Sequence, residues 1–165
     1  MLIFDTSILC CLLRVPGKDT AGPGHDHWDF ERINHLIEKE IAAGSTFVLP
    51  LASIIETGNH ISQTRGDRFS LAVSLADLIR KTAEANTPWA AFSDQADLWS
   101  KDQLNRLGEA WPKLAAAGLS IGDATIRDVA EYYARGGYHV EIVTGDAGLK
   151  AYEPAAPPPV PRRRR

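Results

Sequence analysis

The sequence predicts an α/β fold, a three-layer α/β/α arrangement with a mainly parallel central sheet. Three observations point there. Short apolar segments at Leu2-Ile3-Phe4, Thr46-Phe47-Val48-Leu49 and Val140-Glu141-Ile142-Val143 alternate with longer stretches of helical spacing, and parallel strands joined by helical crossovers read this way. The 165 residues are 44% hydrophobic and 24% charged, enough to bury a core without disulfides and unlike a disordered chain. The only two cysteines, Cys10 and Cys11, are adjacent within an apolar run, so they read as small buried hydrophobes rather than as a staple or zinc ligands.

Taken in order, Leu2-Ile3-Phe4 is a buried strand that stops at Asp5, and Thr6 or Ser7 is expected to cap a helix through Leu13. Val15 to His27 is rich in Gly, Pro and Asp and reads as a long loop, a candidate mobile rim. Trp28 to Ala43 regains helical spacing through Ile33, Leu36, Ile37 and Ile41, and Gly44 ends it. After the Thr46–Leu49 strand, Pro50 opens a helix from about Leu51 to Thr64, and Gly66-Asp67 separates it from another running to about Ala85. Trp89 to Ala117 reads as a short strand and one or two helices broken near Gly108 and Pro112. Leu119-Ser120-Ile121 leads into Asp123 and a helix through Tyr133, ended by Gly136-Gly137; the Val140–Val143 strand finishes at Thr144-Gly145-Asp146, before a short helix from Ala147 to Tyr152. The expected folded unit is therefore residues 1–152, with 153–165 a Pro/Arg-rich tail too poor in burial-capable residues to join a core.

The net charge of −3 conceals a split, because without Arg162 to Arg165 there remain 14 basic residues against 21 acidic ones. A nucleic-acid partner would have to be met by local basic groups or bound cations. The apolar stretch Ile8 to Leu13 is too short to span a bilayer and no basic segment precedes it. Neither a signal peptide nor a membrane helix is expected, and the cytoplasm is the expected compartment.

The position of the acids carries the functional information. Asp5 and Asp146 each follow an apolar strand, and Asp123 opens a helix after a short apolar segment. In an open parallel sheet the strand carboxyl ends and the following helix N-termini share one edge, where ligand sites lie. Glu56, one turn into the helix after the second strand, can reach the same edge. At about 100° per residue Leu51, Ile54, Ile55, Gly58 and Ile61 form that helix's apolar stripe, with Glu56, Asn59, His60 and Gln63 opposite. Each aspartate alone could be a helix cap. Several carboxylates converging without cations would repel one another and be driven toward protonation, so convergence implies metal. An all-oxygen donor set favours Mg2+ or Mn2+ over zinc, and such ions serve phosphodiester hydrolysis.

Met1-Leu-Ile-Phe-Asp-Thr-Ser-Ile-Leu9, Leu51-Ala-Ser-Ile-Ile-Glu-Thr-Gly58, Ile121-Gly-Asp-Ala-Thr-Ile126 and Ile142-Val-Thr-Gly-Asp-Ala-Gly-Leu149 together resemble, in order, the four acidic motifs of PIN-domain ribonucleases. The nearest subgroup is the VapC-type toxins of bacterial toxin–antitoxin pairs. The resemblance runs from Met1 to about Tyr152 and implies a PIN-like domain. It implies that Asp5, Glu56, Asp123 and Asp146 bind the metal, with Thr6 or Ser7 and Thr144 as hydroxyls that orient a carboxylate or a metal-bound water. It further implies metal-dependent cleavage of single-stranded RNA, such as tRNA or ribosomal RNA, leaving a 5′-phosphate and a 3′-hydroxyl. A homodimer and a co-expressed antitoxin partner are expected with it. The Val15–His27 loop and the Pro/Arg tail depart from the compact toxin pattern.

Other signals point elsewhere. Asp128 lies about 140° around the helix from Asp123 and belongs outside the metal site, whereas Arg127 is on the Asp123 side and is expected to pair with it or to meet an RNA phosphate. His25, Asp26 and His27 sit in a loop with no ligand geometry of its own, and His60 reads as an exposed helix histidine. Trp28, Trp89, Trp99 and Trp111 suit packing better than base stacking. Rival readings are a processing or defence nuclease without an antitoxin, a non-catalytic PIN-fold binding protein, and a haloacid-dehalogenase-type phosphatase, which wants an aspartate where this chain has Ser7. No P-loop or Gly-x-Gly-x-x-Gly fingerprint is present.

Overall fold

The computed structural model describes residues 1–157; the terminal arginines and most of the proline run of the expected tail lie outside the described residues. Three short strands, β1 (Leu2–Phe4), β2 (Phe47–Val48) and β3 (Glu141–Val143), form an all-parallel sheet in the order β2-β1-β3. β1 is central, pairing Ile3 with Val48 on one side and with Ile142 on the other. A further parallel bridge joins Phe47 to Trp89, which is the place of the short strand expected there. The first crossover runs to one side of β1 and the later one returns to the other, leaving the carboxyl ends of β1 and β3 side by side at a topological switch point.

Alternation along β1 sends its side chains to two cores. Leu2 and Phe4 join Ile8, Leu9, Trp28, Phe47 and Leu49 on one face. Ile3 joins Val48, Ile126, Val129 and Ile142 on the other. Burial on both faces is why these strands read as continuous apolar runs. The first face is covered by α1 (Thr6–Leu12) and α2 (Phe30–Ala42), the second by α6 (Ile121–Arg135). Trp28 and Trp89 are buried as expected of packing residues, while Trp99 and Trp111 are half-buried. Cys10 and Cys11 are fully buried, free thiols.

Three local expectations are corrected. Asp5, not Thr6 or Ser7, caps α1, its carboxylate accepting from the amides of both. Asp outcompetes the hydroxyls because the preceding strand ends one residue earlier and the helix begins at Thr6. Residues 101–116 form one unbroken helix, α5, which runs through Gly108 and contains Pro112. The carbonyl that Pro112 fails to satisfy is four residues back, on an exposed helix with no buried residue, where water can accept that role. α3 (Leu51–Gln63) buries Ser53, Thr57 and Ile61, while Ile55 is 53% exposed. The apolar stripe misjudged its faces because α3 packs against three helices, α1, α4 (Arg68–Ala83) and α6, and small hydroxyl residues permit the closest approach.

Residues 15–27 form a loop, as expected, with one 3-10 turn at Gly24–Asp26. Val15 is buried against Cys10, Ile61 and Leu75, and Ala21 and Trp28 exchange two backbone hydrogen bonds at 2.9 and 2.7 Å. Arg32 closes the loop from α2, donating to the His27 carbonyl at 2.6 Å and to Asp26 at 2.7 Å while lying over the Trp28 ring. No helix among the described residues is long and apolar enough to cross a membrane.

Candidate metal centre

The four acids come from four separate segments and line one cleft of about 280 Å³, together with Thr6, Ser7, Cys10, Lys18, Thr20 and His60. Asp5 stands at the end of β1 and Asp146 three residues past β3, where it caps α7 (Ala147–Lys150). Asp123 occupies the first turn of α6, and Glu56 the second turn of α3. The cap reading and the site reading therefore coexist: two aspartates cap helices whose N-termini face the cleft, and the positive ends of those helices favour anionic side chains there.

Asp5 is the deepest acid, 5% exposed. Its Oδ2 accepts hydrogen bonds from Ser7 Oγ at 2.7 Å and Thr144 Oγ1 at 2.8 Å. Ser7 Oγ in turn accepts from the Gly145 amide at 3.1 Å, so the residue after β3 is tied to the start of α1. Thr6 Oγ1 donates to Glu56 Oε2 at 2.8 Å. Each of Thr6, Ser7 and Thr144 thus orients a carboxylate. Ser120 Oγ donates to Asp123 Oδ2 at 2.7 Å and accepts from the Asp123 amide at 3.0 Å, a reciprocal cap that fixes the acid in place.

The donor set fits a hard divalent cation on three observations. Glu56 Oε1, Asp123 Oδ1 and Asp146 Oδ2 carry no hydrogen bond among the described residues, so three acids each keep one oxygen for a further partner. The Asp123 carboxyl is pushed above its ordinary range, first by burial and then by the negative charges of Asp5 and Asp146; a cation would remove that repulsion. Gly122 lies against Glu56, and a Cβ there would come within 2.0 Å of Oε1. Only glycine leaves room for that carboxylate. No three Asp, Glu, His or Cys side chains among the described residues form a preassembled cage.

Arg127 does not pair with Asp123. It donates to Asp128 at 2.7 Å and reaches Glu131 at 3.6 Å, because these neighbouring acids on its own helix compete better than a carboxylate already held by Ser120. Asp128 accordingly lies outside the cleft. His60 lines the cleft half-buried, instead of standing exposed, one turn below Glu56 on the same helix face. Lys18 and Thr20 are cleft residues that sequence reasoning missed, since a Gly/Pro-rich loop gives no periodic signal of where its side chains go. His25 and His27 do not line this cleft; His27 stands 4.0 Å from Asp29.

A larger concavity of about 700 Å³ lies between α1, α2 and α4, but it is mainly apolar and its Asp77 is already paired with Arg80 and Lys81. It offers no converging reactive groups. No family model, curated protein or solved structure matches this chain.

Proposed function

We propose that this protein is a metal-dependent ribonuclease of PIN-like architecture, hydrolysing phosphodiester bonds of single-stranded RNA at the cleft of Asp5, Glu56, Asp123 and Asp146. The observation that carries the reading is the meeting of four acids from four distant segments at the carboxyl edge of a parallel sheet, three with an uncommitted oxygen. Mg2+ or Mn2+ bound there would supply an activated water and offset charge on the phosphate.

The chain's own residues do the positioning. Asp5 is held from two sides by Ser7 and Thr144, so its carboxylate cannot rotate away when the other acids change partners. Glu56, Asp123 and Asp146 line the same cleft, each with one oxygen free of hydrogen bonds among the described residues. The Thr6, Ser7 and Thr144 hydroxyls are spent on holding carboxylates, which argues for hydrolysis by water over a covalent intermediate on any of these three. Burial pushes the Cys10 thiol up to about 11, so it stays protonated and a poor nucleophile at neutral pH. Ser7 at the position where a phosphatase of the haloacid dehalogenase kind needs an acid, and engaged with Asp5, weighs against that rival.

The toxin role, with its antitoxin, its homodimer and its tRNA or ribosomal RNA target, rests on the resemblance of the four motifs to VapC-type toxins. One experiment tests both levels. Wild type and Asp5→Asn are induced in a host lacking neighbouring genes, and total RNA is read for new 5′-phosphate ends. Growth arrest with discrete ends for wild type alone supports a toxic ribonuclease. Metal-dependent cleavage by purified protein without arrest supports a nuclease that needs no antitoxin, and no cleavage in either setting sinks the enzymatic reading.

A further inference from the structure

The cleft holds one cation of the protein's own. Lys18 lines it beside the four acids, yet among the described residues it forms no ion pair. Eight of the fourteen basic side chains in the described region form ion pairs, among them Arg14 with Glu31, Arg32 with Asp26, Arg127 with Asp128, and Lys150 with Glu141 and Glu153; of the six that do not, Lys18 is the one that lines this cleft. A lysine left unpaired next to four carboxylates has not been recruited to neutralise them. Its ammonium remains available for an anion that enters the cleft.

Its backbone is held in position. The Lys18 amide donates to the Val15 carbonyl at 2.8 Å, and the Lys18 carbonyl lies 3.7 Å from the Cys11 thiol. On the far side of the loop, Ala21 and Gly22 press against Gly145, where a Cβ would come within 2.7 Å of each. The loop is therefore seated directly on the residue preceding Asp146. Only glycine at 145 lets it approach so closely. The side chain at position 18 lines the cleft from this loop, while Asp5 and Asp146 follow β1 and β3 and Glu56 and Asp123 stand on α3 and α6.

We infer that Lys18 is the phosphate-binding residue of this cleft, contacting a backbone phosphate of the single-stranded polynucleotide whose neighbouring linkage is cut. The inference rests on the nuclease reading and names the contact that lets an acidic body take a polyanion. With 21 acidic residues in the chain, general electrostatic attraction is weak, so a fixed ammonium at the site has a disproportionate effect. A lysine suits this task as a flexible point charge that follows a moving phosphate.

Binding of a short fluorescent single-stranded oligoribonucleotide, with Mg2+ present, tests it in the Asp5→Asn protein, so that turnover does not interfere. Adding Lys18→Gln is expected to weaken binding about fivefold near 100 mM salt and to make the logarithmic salt dependence shallower by about 0.7, one phosphate contact on a single strand. Lys18→Arg is expected to keep both affinity and slope. Lys18 is exposed, so an unchanged circular dichroism spectrum is expected and checks the fold. Equal affinity and slope with and without Lys18→Gln would overturn the inference, as would failure of the Asp5→Asn protein to bind RNA at low salt. Cleavage by wild type is measured alongside. Cleavage with binding indifferent to Lys18 removes the lysine and keeps the nuclease; binding that depends on Lys18 without any cleavage does the reverse.

Discussion

The Thr144 hydroxyl is shared between two acids of the cleft: it donates to Asp5 Oδ2 at 2.8 Å and accepts from the Asp146 amide at 2.9 Å. Thr144 lies 139 positions from Asp5 in sequence, so one buried oxygen, 4% exposed as a residue, sets acids from the two ends of the folded unit. Thr144→Val keeps the shape and removes the bond. It is expected to cost roughly 1–3 kcal/mol, the penalty for leaving a buried partner unsatisfied, read as a lower urea midpoint, and to reduce cleavage because Asp5 loses one of its two hydroxyl donors. Thr144→Ser should restore both. A Val variant with wild-type stability and rate would remove Thr144 from any positioning role.

Asp123 gives a prediction in which stability and activity move in opposite directions. Burial and the charges of Asp5 and Asp146 disfavour its ionised form, so Asp123→Asn should raise the melting temperature of the metal-free protein at neutral pH while abolishing metal-dependent cleavage. Mg2+ or Mn2+ should raise the melting temperature of wild type and do so less in the variant, since a ligand that binds only the native state stabilises it. Equal metal-induced shifts in the two proteins would place the cation away from Asp123.

Asp5 was legible in the sequence because a strand buried on both faces reads as an unbroken apolar run, and an acid straight after such a run stands at the sheet edge; Asp146 was legible from the apolar segment that ends three residues before it. Glu56 was legible as a candidate and not as a direction. Counting apolar residues put Ile55 on the buried stripe, whereas three neighbouring helices bury Ser53 and Thr57 and leave Ile55 in solvent. The loop over 15–27 was opaque for another reason: what fixes it is distant, Arg32 reaching Asp26 and Gly145 admitting Ala21 and Gly22. Local composition reported only its glycines and prolines. Pro112 misled in the same way, as an exposed helix tolerates the missing amide that a buried one does not.

The adjacent thiols make stability fall at high pH. Burial pushes both Cys10 and Cys11 up to about 11, with their ordinary value near 9. Above the unfolded value the unfolded chain releases both protons and the folded protein does not, so the unfolded state is favoured. Stability from this source is fully present below about pH 9 and is lost as pH rises toward the folded values. Urea midpoints should decline across that window, and Cys10→Ala/Cys11→Ala should flatten the decline. Alkylation by iodoacetamide at pH 8 should be slow until denaturant is added. Rapid labelling of the native protein would contradict the burial of both thiols.

Gly122→Ala separates the geometry of the cleft from the stability of the fold. The added methyl would sit 2.0 Å from Glu56 Oε1 and 2.9 Å from its carboxyl carbon, with no backbone among the nearest atoms. What must move is the far end of a flexible side chain, so the fold can absorb the change. In the first turn of α6 the substitution also gains helix propensity, up to about 1 kcal/mol. Stability is therefore expected to stay within about 1 kcal/mol of wild type on that account. The Glu56 carboxylate, however, must leave its position, and with it goes the hydrogen bond from Thr6 Oγ1. A misplacement of this size at a reacting site costs on the order of 10²-fold in rate. Urea denaturation and cleavage of single-stranded RNA measured on the same preparation check the two halves. Near-wild-type activity in a stable Gly122→Ala protein would mean that Glu56 is not needed where it stands, and the proposed site would lose one of its four acids.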